Sequence, residues 1–450
     1  MAKKFLSFLG TGEYSECTYK CPKGAEVKSR FIQTALVEDL CREWTEDDEV
    51  IIFLTNASRN KNWEDSERFV EVSREEVSPE ETIIRRSKKQ FIGLKKELET
   101  PNYKVKIVDK SIPEGKNVDE IWEIFNVMMD CINDNDEVIF DITHSFRSIP
   151  MLALVVLNYA KVMKNIDILG IYYGAFEARD KDGVAPVFEL KEFDRLLEWS
   201  YAINSFVKFG DSRQILDFVN REKKYDEKYR EVYNFAKKLN TFTDAINTCK
   251  GIVLDNPQKS VYAAYKDMIE SLNTIREKQI YPTISELLKL VEKKSKIFDC
   301  NDNLSIGMAF VEWCIQNNLI QQGYTALDET IKTFICVLND LDDSDKDIRE
   351  EIAAKAMAVY KYKDNESKWI VEEQYKEKIR EILKNTPKEI FKIADAISVS
   401  RNDINHFGFT EPDKRKDISK LKSELGIKYQ ELKKVYDEYL NNKGALEDLE

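Results

Sequence analysis

Short runs of β-branched and aromatic residues alternate with amphipathic segments over the first 195 residues of this sequence. The runs predict strands at Lys4–Leu9, Val50–Thr55, Tyr103–Val108, Glu137–Asp141 and Asp167–Tyr173, and a terminal hairpin at Val184–Leu190. The segments between them predict helices at Arg30–Trp44, Pro79–Leu98, Val118–Ile132 and Ile149–Lys164. Such alternation indicates a parallel sheet covered by helices, in which ligands bind beyond the carboxyl ends of the strands.

The strand signal almost disappears after residue 195, where apolar residues recur at three- and four-residue spacing among many charges. The predicted helices are Glu192–Val219, Tyr225–Cys249, Ser260–Lys278, Thr283–Lys296, Ile306–Asn317, Leu319–Asp340, Ile348–Tyr362, Val371–Leu383, Lys388–Ala396, Arg401–Phe407 and Ile418–Tyr439. The predicted fold class is therefore α/β followed by all-α. Because a domain has about 150 residues on average, the 450 residues suggest a sheet domain at 1–195, a helical connecting region at 196–300 and a second helical domain at 301–450.

The charge balance limits the kind of partner. The chain has 69 basic and 82 acidic residues, a net charge of −13, so it lacks the basic surface of a protein that coats nucleic acid, and any such contact must be local. No signal peptide and no run of about 18 apolar residues stands out, which predicts a cytoplasmic protein without a membrane segment. Its eight scattered cysteines fit free thiols in a reducing compartment.

Small and polar residues follow the first two predicted strands. The first strand runs into Gly10–Tyr14, whose two glycines let backbone N–H groups approach an anion, although a tight turn alone also explains them. The third glycine of a dinucleotide fingerprint is missing, which argues against an oxidoreductase. The second strand ends in Thr55, Asn56 and Ala57.

The densest polar cluster follows the fourth strand, at Asp141–Pro150. Ser148 can cap the helix that begins there, and a helix N-terminus beside hydroxyls, His144 and Arg147 suits a phosphate group. Because the carboxyl ends of parallel strands meet at one edge of a sheet, the three loops predict a site for a nucleotide-like ligand with several phosphates.

The other of the chain's two histidines lies near the C-terminus. On a regular helix Asn402 and His406 share a face, whereas Arg401, five residues before the histidine, lies about 140° away. Two explanations stay open. Arg401 begins a helix where the backbone bends, or the same segment of a second subunit completes the site across a two-fold axis.

Arginine, histidine and an amide are together able to cleave RNA. Histidine moves protons to or from the attacking 2′-hydroxyl and the leaving 5′-oxygen, arginine stabilises charge on the phosphoryl oxygens, and Asn402 orients the histidine or the phosphate. The alternative is that Arg401 and Asn405 are ordinary solvent-facing residues and His406 is a partly buried polar one.

Two motifs in this order resemble those of the CARF–HEPN effector ribonucleases of type III CRISPR systems. Asp141-Ile142-Thr143-His144 resembles the DxTHG motif of their CARF domains, with Ser145 in place of the glycine. The spacing from Arg401 and Asn402 to His406 resembles the R-x4-H motif of HEPN domains. The domain order is also similar, with a Rossmann-like sheet domain before a helical domain, and the resemblance covers essentially the whole chain.

The resemblance implies a ribonuclease that is switched on by a cyclic oligoadenylate, with cyclic tetra-adenylate favoured and the hexa-adenylate as second choice. It implies a homodimer, able to assemble further, whose paired CARF domains bind the ring and whose paired HEPN domains cut single-stranded RNA without metal or catalytic cofactor. The implied ligand contacts are Gly10, Thr11, Gly12, Tyr14, Thr55, Asn56, Ala57, Thr143, His144, Phe146, Arg147 and Ser148. The implied catalytic residues are Arg401 and His406, supported by Asn402. The alternative function is a cyclic-nucleotide sensor without nuclease activity.

Overall fold

The computed structural model describes residues 2–78, 81–99, 103–144, 149–222, 230–278 and 282–447. The chain divides into two compact units, Met1–Arg195 and Leu196–Glu450, each with its own buried cores. The first unit is α/β, and the described residues of the second are helical. This confirms the predicted order of an α/β part followed by an all-α part.

The described residues of the N-terminal unit form ten strands and the helices that cover them. In chain order its elements are β1 (Lys3–Leu9), β2 (Cys17–Lys20), β3 (Glu26–Ser29), α1 (Ile32–Leu40), β4 (Glu49–Leu54), α2 (Asn56–Ser58), β5 (Ser66–Ser78), β6 (Glu81–Phe91), α3 (Leu94–Leu98), β7 (Lys106–Ser111), α4 (Val118–Asp130), β8 (Glu137–Asp141), α5 (Ile149–Lys164), β9 (Asp167–Gly174) and β10 (Val184–Glu189). The predicted strands are confirmed to within one residue at β1, β4, β8 and β9, whereas β7 begins three residues later than predicted.

The main sheet has the strand order β3-β2-β10-β9-β8-β1-β4-β7. The five adjacent strands from β9 to the edge strand β7 are parallel, and β10 is antiparallel to β9. The chain adds β4 and β7 on one side of β1 and then places β8 and β9 on the other side. The direction of winding therefore reverses between β1 and β8, which is where open α/β sheets bind ligands.

Helices bury both faces of the central strands, so these strands are almost continuously apolar. Successive side chains point to opposite faces. Phe5 and Ile52 pack in the core that contains α1 and α3, whereas Leu6 and Ile51 pack in the core that contains α4 and α5. The carboxyl ends of the strands are thus held by two cores at once.

One sequence-based prediction in this unit was wrong. The segment Pro79–Leu98 was predicted as a helix, but its described residues form β6, which pairs with β5 as a separate antiparallel ribbon, and only the short helix α3 remains. The β-branched run Thr82-Ile83-Ile84 suits a strand, and pairing with the neighbouring segment overrides the helix-like charge pattern that follows it.

The described part of the C-terminal unit is built from helices alone. They are α6 (Lys191–Phe209), which begins before the boundary, α7 (Arg213–Glu222), α8 (Arg230–Asn247), α9 (Val261–Glu277), α10 (Pro282–Ser295), α11 (Asn303–Gln316), α12 (Ile320–Leu338), α13 (Ala354–Val359), α14 (Glu373–Asn385), α15 (Lys388–Asn405) and α16 (Ile418–Glu447).

The two faces of helix α11 pack in two different cores. Phe310 and Trp313 pack with α6 to α10, whereas Met308 and Val311 pack with α12 to α16. A helix that is apolar on both sides must be covered on both sides. The N-terminus of α11 is capped by Asp302, whose carboxylate accepts a hydrogen bond of 2.8 Å from the Ser305 N–H.

Candidate functional sites

A cavity of about 320 Å³ opens at the carboxyl ends of β1, β4, β7 and β8. It is lined by Phe8, Leu9, Gly10, Thr11, Gly12, Tyr14, Thr55, Ile112, Glu114, Thr143 and His144. The structure thus brings together seven of the predicted ligand residues, and adds Ile112 and Glu114 from the segment after β7. Asn56 and Ala57 lie exposed in α2 and outside the lining, and Phe146, Arg147 and Ser148 lie outside the described residues.

Asp141 anchors the turn after β8 from within the protein. Its carboxylate is fully buried and accepts hydrogen bonds from Ser7 Oγ at 2.7 Å, from the Thr143 N–H at 2.9 Å and from Thr143 Oγ1 at 2.5 Å. The Thr143 hydroxyl also accepts from the Gly174 N–H at 2.8 Å, which ties the turn to β9. Burial raises the pKa of the Asp141 carboxyl, although these hydrogen bonds act to lower it. Asp141 therefore shapes the pocket wall and does not face the ligand space.

The loop Gly10–Tyr14 is fixed by a buried amide that sequence reasoning missed. Asn62, only 1% exposed, donates hydrogen bonds of 2.9 Å to the carbonyl of Gly10 and 3.1 Å to the carbonyl of Gly12. A Cβ atom on Gly10 would come within 2.8 Å of Tyr14 Oη, and one on Gly12 within 3.2 Å of the same ring. The two glycines therefore make room for the Tyr14 ring.

His144 and Tyr14 form the aromatic wall of the pocket, with ring centroids 4.4 Å apart. Burial lowers the pKa of His144 to about 4, so its imidazole is neutral at pH 7. Its Nε2 atom is buried and has no hydrogen-bond partner among the residues that the structure describes. A buried polar atom without a partner is costly, and a hydrogen bond from a ligand to this atom would remove that cost.

Cations surround the outer side of the same loop. Lys61 Nζ lies 2.7 Å and Arg68 Nη1 3.0 Å from the carboxylate of the exposed Glu13, and the Lys61 hydrogen bond lowers the pKa of Glu13. Arg30 donates to the Tyr14 carbonyl at 3.4 Å. Three cations therefore lie on the outer side of this loop, in a chain of net charge −13.

The C-terminal candidate residues lie at the end of α15. This helix is continuous across Arg401, so the expectation that Arg401 begins a separate helix after a bend was wrong. His406 is the C-cap residue, its N–H donates to the Asn402 carbonyl at 2.9 Å, and Phe407 and Gly408 end the helix with φ of +58° and +77°. Asn402 and His406 are both exposed.

Arg401 faces a different direction, towards α12. Its Nη1 atom lies 2.9 Å from Oδ2 of Asp328, a residue that sequence reasoning did not select. The Asp328 side chain is 7% exposed and that of Arg401 is 33% exposed. Burial raises the pKa of the Asp328 carboxyl, although Lys332 and Arg401 oppose the shift. The three candidate catalytic residues therefore do not converge on one point within a single chain.

Asp403 secures the segment that follows His406. Its buried carboxylate accepts hydrogen bonds from Thr410 Oγ1 at 2.9 Å and from the Lys416 N–H at 3.1 Å. The bond from Lys416, and then the one from Thr410, lowers the pKa of Asp403. These contacts hold the loop between α15 and α16 in place beside the exposed histidine.

A second cavity, of about 340 Å³, lies against α11 and α12 in the C-terminal unit. Its arginine, Arg349, already donates to the Glu329 carboxylate at 2.8 Å, to Thr333 Oγ1 at 2.8 Å and to the Asp343 carbonyl at 2.8 Å. This guanidinium is occupied by the protein itself, and we assign no ligand to the cavity.

Two family models match parts of the first 300 residues, and one curated relative matches about three quarters of the chain. Residues 4–177 match the family model of the CARF domain of the CRISPR system endoribonuclease Csx1, and residues 195–299 match the model of the second domain of the CRISPR-associated protein MJ1674. The chain is 28% identical, over 377 residues, to the CRISPR-associated protein MJ1674 of Methanocaldococcus jannaschii. The match covers 76% of this chain and 55% of that protein, so the chain spans about half the length of the curated relative.

These matches support a CRISPR-associated protein with an N-terminal CARF domain. The HEPN identity of residues 301–450 stays a prediction. Among the described residues, no helix is long and apolar enough to cross a membrane.

Proposed function

We propose that this protein is an endoribonuclease of type III CRISPR defence, switched on when its CARF domain binds a cyclic oligoadenylate. The observation that carries the proposal is the solvent-exposed His406 at the end of α15, one turn after Asn402 and five residues after Arg401 in the sequence. Residues 4–177 of the same chain match the model of the CARF domain of an endoribonuclease. In this proposal residues 301–450 are the HEPN domain, and single-stranded RNA is the substrate.

The chemistry of the pocket suits adenine nucleotides. The Tyr14 ring and the neutral His144 provide a surface for a base, His144 Nε2 provides a hydrogen-bonding atom, and the cations outside the loop attract phosphates. Ligands of drug size occupy cavities of about 300–1,000 Å³. A cavity of about 320 Å³ therefore accommodates part of a ring of four or six nucleotides. The complete ring requires the pocket of a second copy.

An exposed apolar surface next to the pocket supports such a pair. It is formed by Val118 and Trp122 of α4 and by Met151, Val155, Tyr159 and Val162 of α5. The four residues of α5 follow one another at three- and four-residue spacing, so they share one face of that helix. Extended apolar patches of this kind mark interaction sites. Helix α5 begins five residues after His144, so pairing along this face places two pockets side by side.

A single substitution tests the proposed dimer. Val155→Glu puts a charge in the centre of the apolar face and should convert the dimer to a monomer in sedimentation experiments, with loss of ligand activation. Glu123→Ala, at an exposed residue of the neighbouring helix, is the matched control and should leave the dimer intact. A Val155→Glu protein that remains dimeric and activatable contradicts this assignment of the interface.

The C-terminal residues have distinct roles in the proposed reaction. His406 transfers a proton to or from the 2′-hydroxyl or the 5′-oxygen of the scissile bond, and Arg401 stabilises the charge that develops on the phosphoryl oxygens. Asn402 orients the phosphate or the histidine. Because Arg401 points away from His406 within one chain, we propose that the two chains of a dimer together assemble the site.

The proposal is tested by RNA cleavage. Labelled single-stranded RNA is incubated with the protein in EDTA, with no ligand, with cyclic tetra-adenylate or with cyclic hexa-adenylate. We expect cleavage only with ligand, its loss in His406→Ala, and wild-type cleavage in Asn405→Ala, which removes an exposed side chain in the same turn. Cleavage that needs neither ligand nor His406 contradicts the proposal. Ligand binding without any cleavage favours the sensor function.

A further inference from the structure

Helix α12 carries charged side chains that are buried. The side chains of Asp328 and Lys332 are only 7% and 8% exposed. Taking charges out of water costs several kcal/mol per ion unless partners compensate for it. Such residues therefore call for a specific explanation, and their neighbours supply it.

Asp328 lies between two cations. Its Oδ2 atom is 2.9 Å from Arg401 Nη1 on α15 and 3.5 Å from Lys332 Nζ one turn along α12. Arg401 is thus its nearer partner. The pair is an ion pair without aligned hydrogen bonds, and Arg401 Nε has no hydrogen-bond partner among the described residues.

Lys332 has carboxylate partners besides Asp328. Its ammonium group lies 2.9 Å from Glu329 Oε1 and 3.4 Å from Glu350 Oε1, and Glu329 is also paired with Arg349 at 2.8 Å. Two other carboxylates therefore share in compensating the charge of Lys332. Of these three carboxylates, Asp328 is the one that contacts Arg401.

We propose that Asp328 is a positioning residue, which fixes the guanidinium of Arg401 so that its remaining N–H groups face the scissile phosphate. This inference rests on the proposed nuclease function. A guanidinium has five donors in a rigid fork, and one ion pair leaves most of them free. Arg401 is 33% exposed, so part of its side chain reaches solvent although Nε is buried. An arginine held in this way does not lose its side-chain freedom again when RNA binds.

The first test compares Asp328→Asn with wild type at saturating activator. Asp328→Asn keeps the shape of the side chain and removes its charge, and we expect kcat to fall about 10- to 100-fold, as for a misplaced catalytic group. KM and ligand affinity should change less than about twofold, since binding contacts stay. Asp328→Glu, which keeps the buried charge but moves it by one methylene, should also lower kcat. If Asp328→Asn does not fold, Asp328→Glu still tests the positioning role.

The matched control is Glu350→Gln. It removes another carboxylate contact of Lys332 in the same cluster without touching Arg401, and kcat should stay at the wild-type value. If Asp328→Asn and Glu350→Gln lower kcat equally, the cluster only supports the fold and the proposal is wrong.

Chemical rescue separates positioning from general stability. In Arg401→Ala, guanidinium ion at millimolar concentration should restore part of the cleavage, because Asp328 still offers a binding point for it. The double variant Arg401→Ala/Asp328→Asn should show no rescue. Equal rescue in both, a wild-type kcat in Asp328→Asn, or raised ligand-free activity in that variant overturns the positioning role. If the wild-type protein itself does not cleave RNA, the proposed function fails and this inference fails with it.

Discussion

His144 should remain uncharged far below the pH at which a histidine ordinarily gains its proton. Its pKa is lowered from 6.5 to about 4 because the imidazole is buried in the pocket wall against Tyr14. At pH 5.5 about 3% of the side chain would be protonated in the folded protein, against about 90% for an ordinary histidine. The proposed activator should therefore meet a neutral group at every pH from 8 to 5.5.

The same shift makes folding stability depend on pH. The folded state has the lower pKa, so below pH 6.5 the unfolded chain binds more protons and the free energy of unfolding falls as the pH falls. The loss amounts to about 1 kcal/mol at pH 5.5 and approaches about 3 kcal/mol well below pH 4, at 1.36 kcal/mol per pKa unit. Above pH 6.5 this contribution is complete and constant. His144→Asn, which cannot gain a proton, should lack this component.

The assay uses the fact that the chain has two histidines. Protein labelled at histidine 13Cε1 gives two NMR signals, and the spectrum of His406→Ala assigns the one from His144. We expect no titration of the His144 signal between pH 8 and 5.5. Urea denaturation at pH 7.5 and 5.5 measures how far the free energy of unfolding falls with pH. This fall should be larger for wild type than for His144→Asn, by the contribution of His144. An NMR titration midpoint of His144 near pH 6.5 would refute the reasoning. So would an equal fall of the free energy of unfolding between pH 7.5 and 5.5 in the two proteins.

Three substitutions check other parts of the structure. Gly10→Ala should lower the free energy of unfolding by about 1–3 kcal/mol, because the new Cβ would lie 2.8 Å from Tyr14 Oη and displace the packed ring. The displaced ring should also raise the activator concentration for half-maximal cleavage about tenfold. Asn62→Ala removes two hydrogen bonds to the loop carbonyls and should cost about 2 kcal/mol in denaturation experiments, with weaker ligand binding. Gly426→Ala, in the interior of α16 with no atom within 4 Å of the new Cβ, should stabilise the protein by about 0.5–1 kcal/mol.

The sequence predicted β1, β4, β8 and β9 well because each is a short, mainly apolar and mostly buried run. The parallel strand β7 is polar and mostly exposed, and its predicted bounds were three residues too early. The sequence did not predict β2 and β3, which have four residues each and little hydrophobic signal. The helix predicted at Pro79–Leu98 failed for another reason. The charges that follow the β-branched residues imitate a solvated helix, and the pairing of β6 with β5 is a property of two segments that one segment alone does not reveal.

The residues of the candidate sites also divide into those that the sequence predicted and those that it did not. Residues directly after a strand, such as Thr55 and His144, were found from the sequence because their position follows from the strand end. Asn62 and Asp328 were not, since one reaches the pocket loop from behind and the other is carried to Arg401 by helix packing. Ile112 was missed because the third predicted strand ended too early.

In the proposed function, ligand sensing and RNA cleavage are separate tasks of one chain, and each depends on one histidine. Cleavage of single-stranded RNA and binding of cyclic tetra-adenylate, measured on the same preparations of wild type, His144→Ala and His406→Ala, test this directly. We expect His406→Ala to bind the ring as wild type does and to cleave no RNA. We expect His144→Ala, which loses one ligand hydrogen bond, to need about tenfold more ligand but to reach the wild-type rate. Variants that lose both properties together, or neither, would contradict it.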